Sequence, residues 1–204
     1  MKITIEPCSK TLALFDFDGT LTTKDSLADF IQYSVGRLPY YRGLSLLSLT
    51  LIGYKLKLVS NSIAKQKLIA HFFEGWEESR FNNCADRYSD MQLNTIIRPE
   101  AMERVKWHQS EGHRVTVVSA SMENWLKKWC QKYGLDLIAT RLEVKNGRLT
   151  GKFSAQNCHG IEKVNRIKSR YDLRKYNAIY AYGDSPGDKE MLEIATKHYY
   201  KRFL

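Results

Sequence analysis

The chain has 204 residues, 43% of them hydrophobic and 26% charged, with 12 Gly and 4 Pro. These ordinary globular values exclude disordered, collagen-like and low-complexity readings and leave room for one sizeable or two small domains. Lys and Arg number 32 against 22 Asp and Glu, a formal net charge of +10, which favours anionic partners: phosphate esters, acidic lipid surfaces or nucleic acid.

Four scattered cysteines, Cys8, Cys84, Cys130 and Cys158, form no C-x-x-C pair, so neither a zinc site nor a disulfide scaffold is indicated. The opening MKITIEPCSKT has no secretory-signal pattern, and a cytoplasmic setting is expected. In chain order, Leu12 to Phe15 is a short, wholly apolar run that stops at the acidic turn Asp16-Phe17-Asp18-Gly19-Thr20, the pattern of a buried strand feeding a polar loop.

From Lys24 to Ile97 the periodicity is helical with no convincing strand, which predicts an inserted helical segment. Inside it, Phe30 to Phe73 contains no acidic residue, while Arg37, Arg42, Lys55, Lys57, Lys65 and Lys67 are interleaved with Leu, Ile, Tyr and Phe. The apolar run Leu44 to Tyr54 has eleven residues. That is short of the ~20 needed to cross a bilayer. Its leucines are expected either to form the segment's own core or to present a basic amphipathic surface to the inner face of a membrane. Arg98-Pro99 marks the return to the main body.

Glu100 to Glu111 reads as a helix stopped by Gly112, followed by the apolar run Val115 to Val118 leading into Ser119-Ala120-Ser121. Glu123 to Tyr133 repeats the helical pattern, with Trp125 and Trp129 on one face as core residues. Arg141 to Phe153 alternates around Asn146-Gly147 and predicts a β-hairpin. A helix over Glu162 to Tyr171 then leads to the run Ala178 to Tyr182, which enters Gly183-Asp184-Ser185-Pro186-Gly187-Asp188. Strands separated by helices imply a parallel sheet covered on both faces. The end, Tyr199-Tyr200-Lys201-Arg202, is an aromatic and basic tail too short to argue for nucleic-acid binding.

Asp16, Asp18, Ser119 and Asp184 each fall at the carboxyl end of a predicted strand, and in an open α/β sheet those ends share one ligand-binding crevice. Taken together, Phe15 to Thr22 (FDFDGTLT), Ser119 after VTVV, Lys163 at a helix start, and Gly183 to Asp188 (GDSPGD) resemble the haloacid dehalogenase-like phosphatases. The order of motifs and the helical insertion are similar to the phosphoserine-phosphatase-like branch, as is the stretch carrying the hairpin, Asn157-Cys158 and Lys163. The resemblance implies a doubly wound, Rossmann-like α/β core over residues 1–23 and 98–204 with a helical cap over residues 24–97.

It further implies a Mg²⁺-dependent phosphomonoesterase. Asp16 is then the nucleophile that becomes an aspartyl-phosphate, and Asp18 the general acid and base. The metal set is Asp16, Asp18 through its backbone carbonyl, Asp184 and, in support, Asp188; Ser119, Ala120, Lys163 and Gly19 form the phosphate-binding set, aided by N–H groups at a helix start. Three positions depart from true phosphoserine phosphatases: Asp25 replaces a glutamate, Ala120-Ser121 replaces two glycines, and Gly187 replaces an asparagine.

The substrate is expected to be a small or amphiphilic phosphate monoester. A lipid phosphate of the phosphatidylglycerophosphate type, met at a membrane surface, is the alternative. A non-enzymatic anion-binding protein is a more distant one, and gathered carboxylates argue against nucleic acid as a partner. His71, His108, His113, His159 and His198 show no ligand spacing and are expected at the surface or in packing, with His159 lining the site entrance.

Overall fold

A computed structural model describes residues 10–203; Cys8 and most of the opening segment lie outside the described residues. Five parallel strands form the main sheet in the order β3-β2-β1-β6-β7: β1 (Thr11–Phe15), β2 (Arg114–Met122), β3 (Asp136–Thr140), β6 (Ala178–Gly183) and β7 (Lys197–Tyr200). A separate antiparallel hairpin pairs β4 (Leu142–Lys145) with β5 (Arg148–Phe153). Its turn places Asn146 at φ 51° and Gly147 at φ 71°, the left-handed pair that matches strand twist and explains why this dipeptide signals the hairpin.

β1 is buried on both sides, so its sequence reads as a continuous apolar run. Ala13 and Phe15 join the cluster that includes Ala101 and Val105 of α6 (Pro99–Ser110) and Trp125 and Trp129 of α7 (Glu123–Lys132). Leu12 and Leu14 join the opposite cluster, with Ile167 of α8 (Ile161–Arg170) and Met191 of α9 (Lys189–Glu193). The two tryptophans are core residues, as their spacing predicts.

Between β1 and β2 the described chain forms α1 (Ser26–Val35), α2 (Arg37–Leu46), α3 (Ser48–Lys55), α4 (Asn61–Phe73) and α5 (Glu78–Met91). The chain leaves and returns side by side: Thr22 bridges Ile97, and Arg98 N donates to Leu21 O at 2.8 Å. Phe30 of α1 stacks on Trp125 with ring centroids 4.5 Å apart, so the aromatic core of these helices is continuous with one face of the sheet. The hairpin braces α4 as well, since Phe153 N donates to Gln66 Oε1 at 3.2 Å.

The structure corrects or adds to the expectations at four places. The leucines of α2 and α3 are not a local core: Gly43 and Gly53 are the buried residues of those helices, whereas Leu49 is 83% and Leu58, just beyond α3, 80% exposed. The polar segment after Val118 remains strand as far as Met122, with a register shift between Ser119 and Met122; the next helix starts at Glu123 as expected, so the helix-start N–H groups assigned to aid Ser119 are not adjacent to it in sequence. The aromatic tail is partly an edge strand, β7. The strand β3, whose Asp-Leu-Ile-Ala-Thr run follows Gly134 too closely to separate from the preceding helix by period, adds the other edge.

Candidate active site

The turn after β1 carries Asp16 to Thr20, and its shape requires Gly19. That residue has φ +83°, and a Cβ there would lie 2.4 Å from Asp184 Oδ2, so only glycine allows the turn to approach the loop after β6. Thr20 Oγ1 donates to Asp184 Oδ1 at 3.0 Å, and Asp16 N donates to Tyr182 O at 2.9 Å. The ends of β1 and β6 are thereby held in register.

Lys163 comes from the first turn of α8 and is 1% exposed. Its ammonium donates to Asp16 Oδ1 at 2.5 Å, Asp188 Oδ1 at 2.6 Å and Val118 O at 2.8 Å, which uses all three donors. Asp188 is held on its other oxygen by Asp184 N (3.2 Å), Ser185 N (3.0 Å) and Ser185 Oγ (2.8 Å). It is the most fully partnered of the acids and fixes the loop.

Asp16, Asp184 and Asp188 bring carboxylate oxygens within 4.8 Å of one another. Three carboxylates around one ammonium leave excess negative charge in a buried place, and the donors are all hard oxygens, a set that suits a small divalent cation. The same imbalance shows in the acid strengths. Burial pushes the Asp16 carboxyl up to about 8, with Lys163 pulling it down and Asp188 adding to the rise. Burial also raises Asp184. Against its own burial, Asp188 is held below the usual range by the charge and hydrogen bond of Lys163 and the hydrogen bonds of Ser185.

The carboxylate of Asp18 is not part of this cluster. Ser26 N donates to its Oδ1 at 2.7 Å, and Ser121 Oγ donates to its Oδ2. Burial and the nearby Asp25 raise the Asp18 carboxyl, opposed by Lys65 and the two serine hydrogen bonds. Two carboxylates two residues apart therefore face different surroundings, which suits one to attack and the other to move protons.

Ser119 is buried, and its Oγ accepts from Ser121 N at 2.9 Å. Ala120, not Ser119, is among the residues that line the cavity at the strand ends. That cavity is about 510 Å³, and Asp16, Asp18, Lys163 and Asp188 share its wall with His159 and, from the helical segment, Tyr54, Lys57, Asn61 and Lys65. His159 thus takes the position expected of it. His108 is buried in packing, where it contacts Tyr182 and His113.

Sequence reasoning did not single out Ser26, Asn61 or Tyr54, named Ser121 only as a departure from the glycines of phosphoserine phosphatases, and took Lys65 only as one of a run of charges. Ser121 was accessible in principle, being two residues beyond Ser119 on a strand and so on the same face. Ser26, Asn61, Tyr54 and Lys65 reach the site only through tertiary packing, as when Lys65 Nζ donates to Ala120 O at 3.2 Å.

The sequence pattern of the haloacid dehalogenase-like hydrolases matches residues 13–193. The CicA protein of Caulobacter vibrioides is 32% identical over 196 residues, covering 94% of this chain and 86% of that protein. A Mycobacterium tuberculosis protein described as a probable phosphatase is 26% identical over 193 residues, covering 92% of this chain and 67% of that one. Among solved structures, a Bordetella pertussis protein of unknown function superposes with a TM-score of 0.82 at 22% identity, covering 93% of this chain and 89% of that one. A substrate-bound phosphoserine phosphatase superposes with a TM-score of 0.65 at 23% identity, covering 94% and 85%.

Proposed function

This chain belongs to the haloacid dehalogenase-like hydrolase family, and from that premise we propose that it hydrolyses phosphate monoesters through an aspartyl-phosphate on Asp16. The observation that carries the proposal is the gathering of the Asp16, Asp184 and Asp188 carboxylates within 4.8 Å of one another, with the buried ammonium of Lys163 bonded to Asp16 and Asp188, beside a cavity whose wall Asp16, Asp188 and Lys163 share. A protein that only bound anions would have no use for buried acids that repel them.

Mg²⁺ held by Asp16, Asp184 and the backbone carbonyl of Asp18, with Asp188 in support, would neutralise an approaching phosphate dianion. Lys163 orients the Asp16 carboxylate and adds a second positive charge. Asp16 attacks phosphorus, the bond from phosphorus to the ester oxygen breaks, and Asp18 gives its proton to the departing alkoxide. Asp18 then takes a proton from water as that water attacks the aspartyl-phosphate, which releases phosphate and restores Asp16. Of the expected phosphate-binding set, Ala120 and Lys163 line the cavity and would meet the phosphate oxygens, whereas Ser119 and Gly19 are not among its lining residues. The test is release of phosphate from small monoesters with and without Mg²⁺. Asp16→Asn should remove turnover and leave the circular dichroism spectrum unchanged; persistent turnover overturns the assignment.

A second reading, a lipid-type monoester met at an anionic membrane surface, is favoured by the exposed leucines on and beside α2 and α3 together with Arg37, Arg42, Lys55 and Lys57. No helix of the described residues is long and apolar enough to cross a membrane, so contact of this kind would be peripheral. Sedimentation with anionic vesicles at low salt, weakened when these four basic residues are changed to glutamine, is the expected result; indifference to such vesicles removes this reading.

A further inference from the structure

The cavity at the strand ends has a neighbour. A second cavity, of about 300 Å³, lies within the helical segment, and Asp25, Tyr54, Asn61 and Lys65 line both. Beyond this shared collar the wall of the inner chamber is mostly apolar: Leu27 and Ile31 of α1, Leu44 of α2, Leu51 of α3, and Ala64 and Leu68 of α4, with Tyr40 of α2 as its hydroxyl-bearing member.

Several of the collar's polar atoms are engaged within the protein. Asp25 Oδ1 accepts from Ala28 N at 2.9 Å as the N-cap of α1. Asn61 Nδ2 donates to Tyr54 Oη at 3.1 Å, and Asn61 Oδ1 accepts from Asn157 Nδ2 at 2.9 Å. Lys65 is hydrogen-bonded to Ala120 O. A sugar, nucleoside or amino-acid leaving group would carry hydroxyls or charges into a space that has few partners for them, and an unpaired polar group out of water is costly. An apolar group would gain from every methylene removed from water.

We infer that the inner chamber receives the apolar end of the leaving group, so that the substrate is a phosphate monoester of an alcohol bearing an alkyl chain or aromatic ring. This rests on the phosphomonoesterase reading for the phosphate end alone. The size of the chamber sets a limit on the chain, and Leu44 and Leu51 come from the same two helices that expose Leu46 and Leu49 outward. A monoester could therefore arrive as a free molecule or from a lipid surface.

The test is a series of n-alkyl phosphates from ethyl to decyl, below their micelle concentrations and with Mg²⁺. The expected result is a rise in kcat/KM of about fourfold per methylene until the chamber is full, then a plateau. A flat series overturns the inference while leaving the phosphomonoesterase reading intact. If no member is hydrolysed, that reading fails, and binding decides about the chamber: octylphosphonate should bind at least tenfold tighter than ethylphosphonate by titration calorimetry, with a more negative heat-capacity change. Equal binding overturns the inference.

Ala64→Phe should fill the chamber and lower the octyl-to-ethyl ratio at least tenfold. Should that variant not fold, Leu44→Ala should enlarge the chamber and move the plateau to a longer chain, and an unmoved plateau counts against the assignment. Repeating the series with decyl phosphate in neutral vesicles separates the two sources: turnover as a free molecule identifies a soluble ester, and turnover confined to vesicles a membrane-borne one.

Discussion

Replacing Lys163 with methionine keeps the length of the side chain and removes its charge. The change strands the Asp16 and Asp188 oxygens and the Val118 carbonyl, which lie 2.5, 2.6 and 2.8 Å from the ammonium. Removing one partner of a buried ion pair costs ~3–5 kcal/mol. The lower end applies here, because burial already pushes the Asp16 carboxyl up to about 8 and it can accept a proton. A loss of ~3 kcal/mol in a chain of 204 residues corresponds to a fall in Tm of roughly 6–12 °C. Urea unfolding followed by circular dichroism in metal-free buffer measures it. Lys163→Met combined with Asp188→Asn removes one stranded charge and should lose less than the sum of the two single changes. A single variant within 1 kcal/mol of the parent, or strictly additive losses, would refute the idea that these groups form one coupled cluster.

Asp18→Asn keeps the shape of the side chain but cannot exchange a proton, and should lower the rate by ~10²–10⁴-fold with a poor leaving group; an unchanged rate points to a different acid. Gly19→Ala should weaken the response of activity to added Mg²⁺, since its Cβ would fall 2.4 Å from Asp184 Oδ2, and a normal Mg²⁺ titration would show that the loop yields. His108 is buried, and burial, then Arg104 and His113, lowers its pKa to about 3. The unfolded chain therefore binds the proton first, and stability should fall as pH drops from ~6.5 toward 3, by up to ~1.4 kcal/mol per unit. Urea unfolding at pH 7, 6 and 5 should show a shallower slope for His108→Gln, and identical slopes would remove His108 as the cause.

Much of the fold was legible because the central strands are buried on both faces and end in charged or glycine-containing turns. β1, the start of β2 and β6 carry that signature. β7 does not: three of its four residues are exposed and Lys197 and His198 interrupt any apolar pattern, so nothing in its sequence distinguishes an edge strand from a tail. The site divides in the same way. Asp16, Asp18, Lys163, Asp184 and Asp188 belong to local motifs, and the topology brings most of them together at the strand ends. Ser26, Tyr54, Asn61 and Lys65 have no motif of their own. They come to the cavity because the helical segment packs its aromatic core against Trp125, a contact that periodicity locates on a helix face without naming its partner.

Each of the three departures from the phosphoserine-phosphatase pattern has a local structural setting. Asp25 caps α1 through Oδ1, which accepts from Ala28 N. Ser121, in place of a glycine, puts a hydroxyl on Asp18 and is linked through Ser26 Oγ, 3.1 Å away, to the indole N–H of Trp125. Asp18 is thus tied to the packing of α1 and α7. At Gly187, any Cβ would lie 2.3 Å from His159 Nε2, so an asparagine there would displace a ring that lines the cavity. Asp25 and Ser121 are thus bonded within the protein, and Gly187 makes room for His159. The phosphate end keeps its acids and its lysine, while the groups at the three altered positions serve the packing and hydrogen bonding of the protein itself, which is compatible with an ester whose leaving group is apolar.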